Sequence, residues 1–287
     1  MRPMTEPPHV ILRAGAATDP GRFRDHNEDS YWAHRPVFLV ADGMGGHASG
    51  DVASAEAVRQ FSAVGGDWTD ASAIHTAMAT AASNITALAG TGRAPGTTLA
   101  GVAVTEQAGR PYWLVFNVGD SRVYLARDGR LEQVSVDHSR RQELIDQGLV
   151  EESKAIGGNV ITRALGGGLL GVPVLDQWLL PLHARDRVLV CSDGLSSELT
   201  PMLMLAMLRS IEDPEEAATH LVRAAVTASG RDNVTAVVVD VARLTLAGGG
   251  HSGDDTDTLS DPTVGDAHDA AWAAGAAARR RPGAGED

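Results

Sequence analysis

The residues with the clearest chemical content are acids placed at the ends of apolar runs. Asp42 ends VFLVA, Asp120 follows YWLVFNVG, Asp193 ends RVLVCS and Asp232 stands just ahead of NVTAVVVDV, while Glu28 and Asp29 precede Ser30–Ala33. If those runs are antiparallel strands, the end of one lies beside the start of the next, and the acids gather at one edge. Six carboxylates around one point repel by several kcal/mol unless cations sit among them. Ligands that are all oxygen select hard cations, Mg²⁺, Mn²⁺ or Ca²⁺, over zinc, and such ions keep waters, so some acids act through a water. A lone Asp-Gly pair, as at 42–43 or 193–194, reads as a turn. Here Gly43, Gly45 and Gly46 surround Met44 ahead of a helical pattern, which lets a backbone carbonyl approach a metal closely.

Other chemistries fit less well. The single cysteine, Cys191, excludes a disulfide framework and a cysteine-rich zinc site, and the position six residues on is Ser197, where a cysteine phosphatase needs arginine. Lys154 is the only lysine and no P-loop surrounds it. Gly43-Met-Gly45-Gly-His-Ala48 matches a dinucleotide fingerprint in context, but Asp42 would face the pyrophosphate; Gly166-x-Gly168-x-x-Gly171 has no strand before it. An oxidoreductase built on Gly43–Ala48 is the rival reading, and a cofactor titration separates the two. With 24 Lys+Arg against 37 Asp+Glu, the net charge is −13, which disfavours nucleic acid as a partner. No 18-residue apolar stretch and no signal peptide are present, so the expectation is a cytoplasmic protein with no membrane partner.

The elements that must position these acids can be read from periodicity. Strands are expected at VILRAGA, VFLVA, LAGVAVT, YWLVFNV, RVYLAR, LEQVS, QWLLPL, RVLVCS and NVTAVVVDV, with Asp128-Gly129 closing a hairpin. Helices are expected at 52–61 and 70–88, then at 201–211 and 214–229. The last has Asp213 as N-cap, Pro214 at its first position and Gly230 at its end. In the 70–88 helix, Ile74, Met78, Ala81, Ile85 and Leu88 share a face. The pattern predicts an α+β domain over residues 10–245 after a flexible N-terminus, 1–9. The periodicity stops there, and 246–287 reads as a disordered acidic and Ala/Gly-rich tail.

The order of blocks RDHNEDS (24–30), ADGMGGHASG (41–50), GTTLAG (96–101), NVGDSRVY (117–124), DHS (137–139), ITRALGG (161–167), CSDGLS (191–196) and GRDNVTAVVV (230–239) resembles the bacterial branch of the metal-dependent Ser/Thr protein phosphatases, the PPM or type 2C family. The resemblance implies a central antiparallel β-sandwich flanked on both faces by antiparallel helix pairs. It implies two principal Mn²⁺ or Mg²⁺ ions. Asp42 looks like the carboxylate between them, the Gly43 carbonyl lies on the second, and Asp193 and Asp232 complete the first. Glu28 and Asp29 match acids that act through bound water, and Asp120 with Asp193 matches a third, weaker site. Arg24 matches the arginine that binds substrate phosphate, whose planar fork suits it, and His47 is similar to a general acid for the leaving alkoxide. Phosphate-monoester hydrolysis demands acceleration on the order of 10²¹-fold, and a water activated between two ions can attack in line without a covalent nucleophile. The implied partners are phosphorylated proteins and a Ser/Thr kinase that the enzyme counteracts. Thr256, Thr258, Ser260 and Thr263 of the tail are a candidate docking segment for a phosphothreonine-binding partner. A pseudophosphatase, the alternative from another class, predicts lost metal acids, and none is lost. One departure is Ala155–Gly158, where relatives usually carry His-Pro and a basic residue in the flap over the active site.

Overall fold

The computed structural model describes residues 8–45, 49–89, 94–156, 160–169 and 171–246. In chain order these form β1 (His9–Asp19), β2 (Asp29–His34), β3 (Val37–Met44), α1 (Gly50–Ser62), α2 (Ala71–Ala87), β4 (Gly96–Thr97), β5 (Leu99–Gln107), β6 (Arg110–Val118), β7 (Arg122–Arg127), β8 (Arg130–Gln133), α3 (Arg140–Asp146), α4 (Val150–Ser153), β9 (Leu165–Gly166), β10 (Asp176–Pro181), β11 (Arg187–Cys191), α5 (Asp193–Ser196), α6 (Pro201–Ser210), α7 (Pro214–Ala228) and β12 (Val234–Thr245). One sheet runs β1-β12-β11-β7-β8. The other runs β10-β6-β5-β3-β4-β9, with β2 added beside β3. Every pairing among the described strands is antiparallel.

Period-two alternation explains why the strands read as nearly unbroken apolar runs. In β12, Val237, Val239 and Val241 face the space between the sheets, whereas Val234, Ala236 and Val238 face the helical layer of α6 and α7. In β3, Phe38 and Val40 point into the sandwich, and Val37, Leu39 and Ala41 pack under α1 and α2. Both sheets are therefore covered on both faces, and alternate residues serve different apolar layers. Each buried Val or Leu contributes about 1.5–3 kcal/mol. The expected sandwich between two helix pairs is the observed architecture.

Local chemistry sets the element ends. Asp213 caps α7 by accepting the Glu215 and Glu216 amides, with Pro214 at its first turn. Asp128 (φ 50) and Gly129 (φ 76) are both left-handed, as a two-residue hairpin between β7 and β8 requires. Leu88 departs from its expected role: it is the C-cap of α2 and 48% exposed, and Ala77 and Ala82 are buried on that face instead. The short α3, α4, α5, β4 and β9 have no sequence expectation, since each is too brief to show a period. Among the described residues no helix is long and apolar enough to cross a membrane. The boundary at 9/10 falls inside β1, which begins at His9, and the segment 247–287 lies outside the described residues, as do residues 1–7.

Candidate active site

The ends of β2, β3, β6, β7, β11 and β12 meet at one end of the sandwich. Asp42, near the end of β3, is the cross-strand partner of Asp29, the first residue of β2. Asp193 follows β11 and Asp232 precedes β12, two strands paired through Cys191 and Ala236. Asp120 lies between β6 and β7, and the first residue of β7, Arg122, pairs with Cys191. The acids are thus brought together by register, across most of the described chain.

Backbone contacts fix the cluster. The Asp42 amide donates to Thr98 Oγ1 at 3.0 Å, and its carbonyl accepts from the Thr98 amide at 2.9 Å and from Thr97 Oγ1 at 3.0 Å. Next to it the Gly43 amide donates to the Glu28 carbonyl at 3.1 Å. A Cβ at Gly43 would stand 2.3 Å from the Gly50 carbonyl oxygen, so only glycine fits where β3 passes the start of α1. Asn233 ties the segment carrying Arg24 to β12: its Oδ1 accepts the Glu28 amide at 2.8 Å, and its Nδ2 donates to the carbonyls of Pro20 and His26 at 3.0 and 2.9 Å. Arg24 reaches Asp232 with Nη2 at 2.8 Å from Oδ2 and stays about half exposed. Asn233 and Thr98 have no role in the sequence reading, although both stand inside its motifs.

The electrostatics are those of crowded anions. Burial, then the charges of Asp29, Asp193, Asp120 and Asp232, push the Asp42 carboxyl well above its ordinary range, although Asp42 keeps an opening to solvent. Asp29 rises to about 7 through burial and the charges of Asp193 and Asp232, against hydrogen bonds from Thr235 and Ser192; the Thr235 bond is 2.7 Å. Asp120 also rises to about 7, through burial and the charges of Asp193 and Asp137. Asp193 is raised by burial and Asp232, and the Asp42 carboxyl lies within hydrogen-bond reach of it. Two carboxylates face each other in this way only with a proton or a cation between them. Asp29 Oδ1 and Asp120 Oδ1 are buried and have no hydrogen-bond partner.

These features fit a hard cation: the donors are all oxygen, two buried carboxylate oxygens lack partners, and a glycine lets the backbone come close. Among the described residues, no group of three or more His, Cys, Asp or Glu side chains is placed to hold a metal ion by itself. His47 lies outside the described residues, as do Gly46 and residues 157–159 of the flap departure. Cys191 is fully buried, and burial pushes its thiol up to about 12, so it is inert at neutral pH.

With this geometry established, the chain can be set beside known proteins. The family model described as protein phosphatase 2C matches residues 24–232, from the arginine beside Asp232 to Asp232 itself. The serine/threonine phosphatase stp of Listeria welshimeri is 32% identical over 254 residues, 80% of this chain and 96% of that protein. The serine/threonine protein phosphatase PstP of Mycobacterium tuberculosis is 34% identical over 272 residues, 89% of this chain, and the chain spans about half that relative's length (51%). A PstP catalytic domain solved in complex with two manganese ions superposes with a TM-score of 0.69 at 34% identity, covering 82% of this chain and 100% of that one. The PPM Ser-Thr phosphatase MsPP of Mycobacterium smegmatis, solved with cacodylate, gives 0.71 at 36% identity, covering 81% and 100%. Acid cluster, sandwich and motif order agree with the match, and the chain belongs to the protein phosphatase 2C family.

Proposed function

We propose that this protein is a metal-dependent phosphatase that removes phosphate from phosphoserine and phosphothreonine of other proteins. The observation that carries this reading is the gathering of Asp29, Asp42, Asp120, Asp193 and Asp232 at one end of the sandwich by strand register, with buried oxygens of Asp29 and Asp120 left without partners. Asp42, the Gly43 carbonyl, Asp193 and Asp232 would hold two principal ions, Mn²⁺ or Mg²⁺. Asp120 with Asp193 would hold a third, weaker one, and Glu28 and Asp29 would hold surrounding waters. Such ions, when bound, neutralise phosphoryl oxygens and lower the pKa of water. Arg24 supplies the phosphate clamp: its guanidinium is exposed at the rim of the cluster and anchored at one nitrogen to Asp232. That leaves donors of the fork free to orient a phosphate. His47 as the proton donor to the leaving alkoxide rests on sequence alone.

The remaining parts of the reading also rest on sequence. They are opposition to a Ser/Thr kinase, a cytoplasmic setting, residues 10–245 as the catalytic unit, and the tail threonines as a docking segment for a phosphothreonine reader. No observation favours a pseudophosphatase. Phosphate release from a phosphothreonine peptide should require added Mn²⁺ or Mg²⁺ and cease with EDTA. Full turnover after exhaustive metal removal would overturn the proposal.

A further inference from the structure

Behind Asp120 two distant segments are hydrogen-bonded through one imidazole. The Gly119–Asp120 turn follows β6 with Gly119 at φ 110, and a Cβ there would stand 2.6 Å from Thr98 Cγ2. From the other side His138 grips the same residue twice. Its amide donates to the Gly119 carbonyl at 2.8 Å, and the Gly119 amide donates to His138 Nδ1 at 3.0 Å. A backbone amide can only donate, so Nδ1 carries no proton and the ring is the neutral Nε2–H tautomer. Nε2 then donates to Asp176 Oδ2 at 3.1 Å, and Asp176 Oδ1 accepts from Arg163 Nη1 at 2.9 Å. The 3.1 Å approach of Arg163 Nη1 to Nε2 is a packing contact, since both nitrogens already bear protons.

The same histidine closes the base of the excursion that carries α3 and α4. Its carbonyl accepts the Thr162 amide at 2.8 Å, Ser139 bridges Ile161, and the Arg140 amide donates to the Val160 carbonyl at 2.9 Å. His138 is 5% exposed, so the ring meets protein groups and almost no water.

We propose that His138 is a positioning residue for Asp120. Through Nδ1 it fixes the Gly119 amide and so aims the Asp120 carboxylate, whose Oδ1 is buried without a partner; through Nε2, Asp176 and Arg163 it makes that aim depend on a closed excursion base. The inference rests on the reading of Asp120 as a ligand of the weakest ion. Groups that orient metal ligands set affinity, and their loss typically costs 10–100-fold.

The test is a calorimetric Mn²⁺ titration of the full chain, freed of metal beforehand, beside melting curves. Asparagine can place an amide oxygen where Nδ1 stands, whereas glutamine places its polar end near Nε2. His138→Gln should weaken the weakest class of Mn²⁺ sites about 10–100-fold and leave the tighter class unchanged, and His138→Asn should restore most of that affinity. Equal weakening by both variants, with equal loss of Tm, would make the role merely structural and overturn the inference. If Asp120→Ala abolishes the weakest class and His138→Gln leaves it intact, His138 does not position Asp120. If Asp120→Ala changes nothing in the isotherm, the reading of Asp120 fails first, and the inference with it. Should His138→Gln not fold, Asp176→Ala decides: severalfold weakening of the same class supports the coupling, and an unchanged isotherm overturns it.

Discussion

At the scale of single residues, the site sets function against stability. Asp42 is crowded by four other carboxylates, so Asp42→Asn removes a repulsion as well as a proposed metal ligand. Activity should fall by more than about 10²-fold, while the Tm of the metal-free protein should rise by a few degrees; a fall in both would show that Asp42 supports the fold. Arg24 belongs to a different class, because in the proposed function its fork meets substrate, and about half of its surface is open. For Arg24→Ala, KM for a phosphopeptide should rise about 10–100-fold, the worth of a charge-assisted hydrogen bond, with kcat changed much less. A drop in kcat at constant KM would mean that it acts only in the transition state. The gathering of the acids was legible in the sequence because they sit at strand ends, whereas Arg24 stood out only through the motif order that the chain shares with a known family. Asn233, Thr98 and His138 were not legible, because what matters in them is a partner far away in the chain: Asn233 serves Pro20, His26 and Glu28.

The elements are held where their ends leave the apolar layers. Asp186 sits just before β11 with a fully buried carboxylate, and it is satisfied on every side. Arg127 of β7 donates to both of its oxygens at 2.7 Å, Trp113 Nε1 of β6 donates at 2.9 Å, and the His183 amide donates at 2.9 Å. The bond from Trp113 of β6 ties this ion pair to the other sheet. Arg127→Ala should cost about 3–5 kcal/mol in urea unfolding, because it leaves a buried charge unpaired; a loss under about 1 kcal/mol would mean that water enters and replaces the guanidinium. The strands, the hairpin and the four long helices could be read in advance, since period two, period 3.6, Asp128-Gly129 and Asp213-Pro214 are local signals. The order of strands in each sheet could not be read, because β1 beside β12 is a pairing across the whole domain. Nor could α3 and α4, which take their place from the stitched ends of their excursion.

For the whole molecule, the acid cluster predicts how stability follows pH. Asp29 and Asp120 titrate near 7 when folded and near 4 when unfolded. The folded chain therefore holds more protons across that window, and stability falls as pH rises from about 4 to 7. In EDTA, Tm should drop by more than about 10 °C over that interval, and saturating Mn²⁺ should abolish the drop by binding the folded state alone. A flat profile in EDTA would mean that the carboxylates are already screened without metal. The pairing of β1 with β12 also bears on the birth of the enzyme. A ribosome delivers the first strand of the sandwich long before the last, and Asp232 immediately precedes that last strand. On the proposed reading, a nascent chain therefore cannot complete its acid cluster until β12 has left the exit tunnel, and a chain terminated before Asp232 lacks one of the proposed metal ligands.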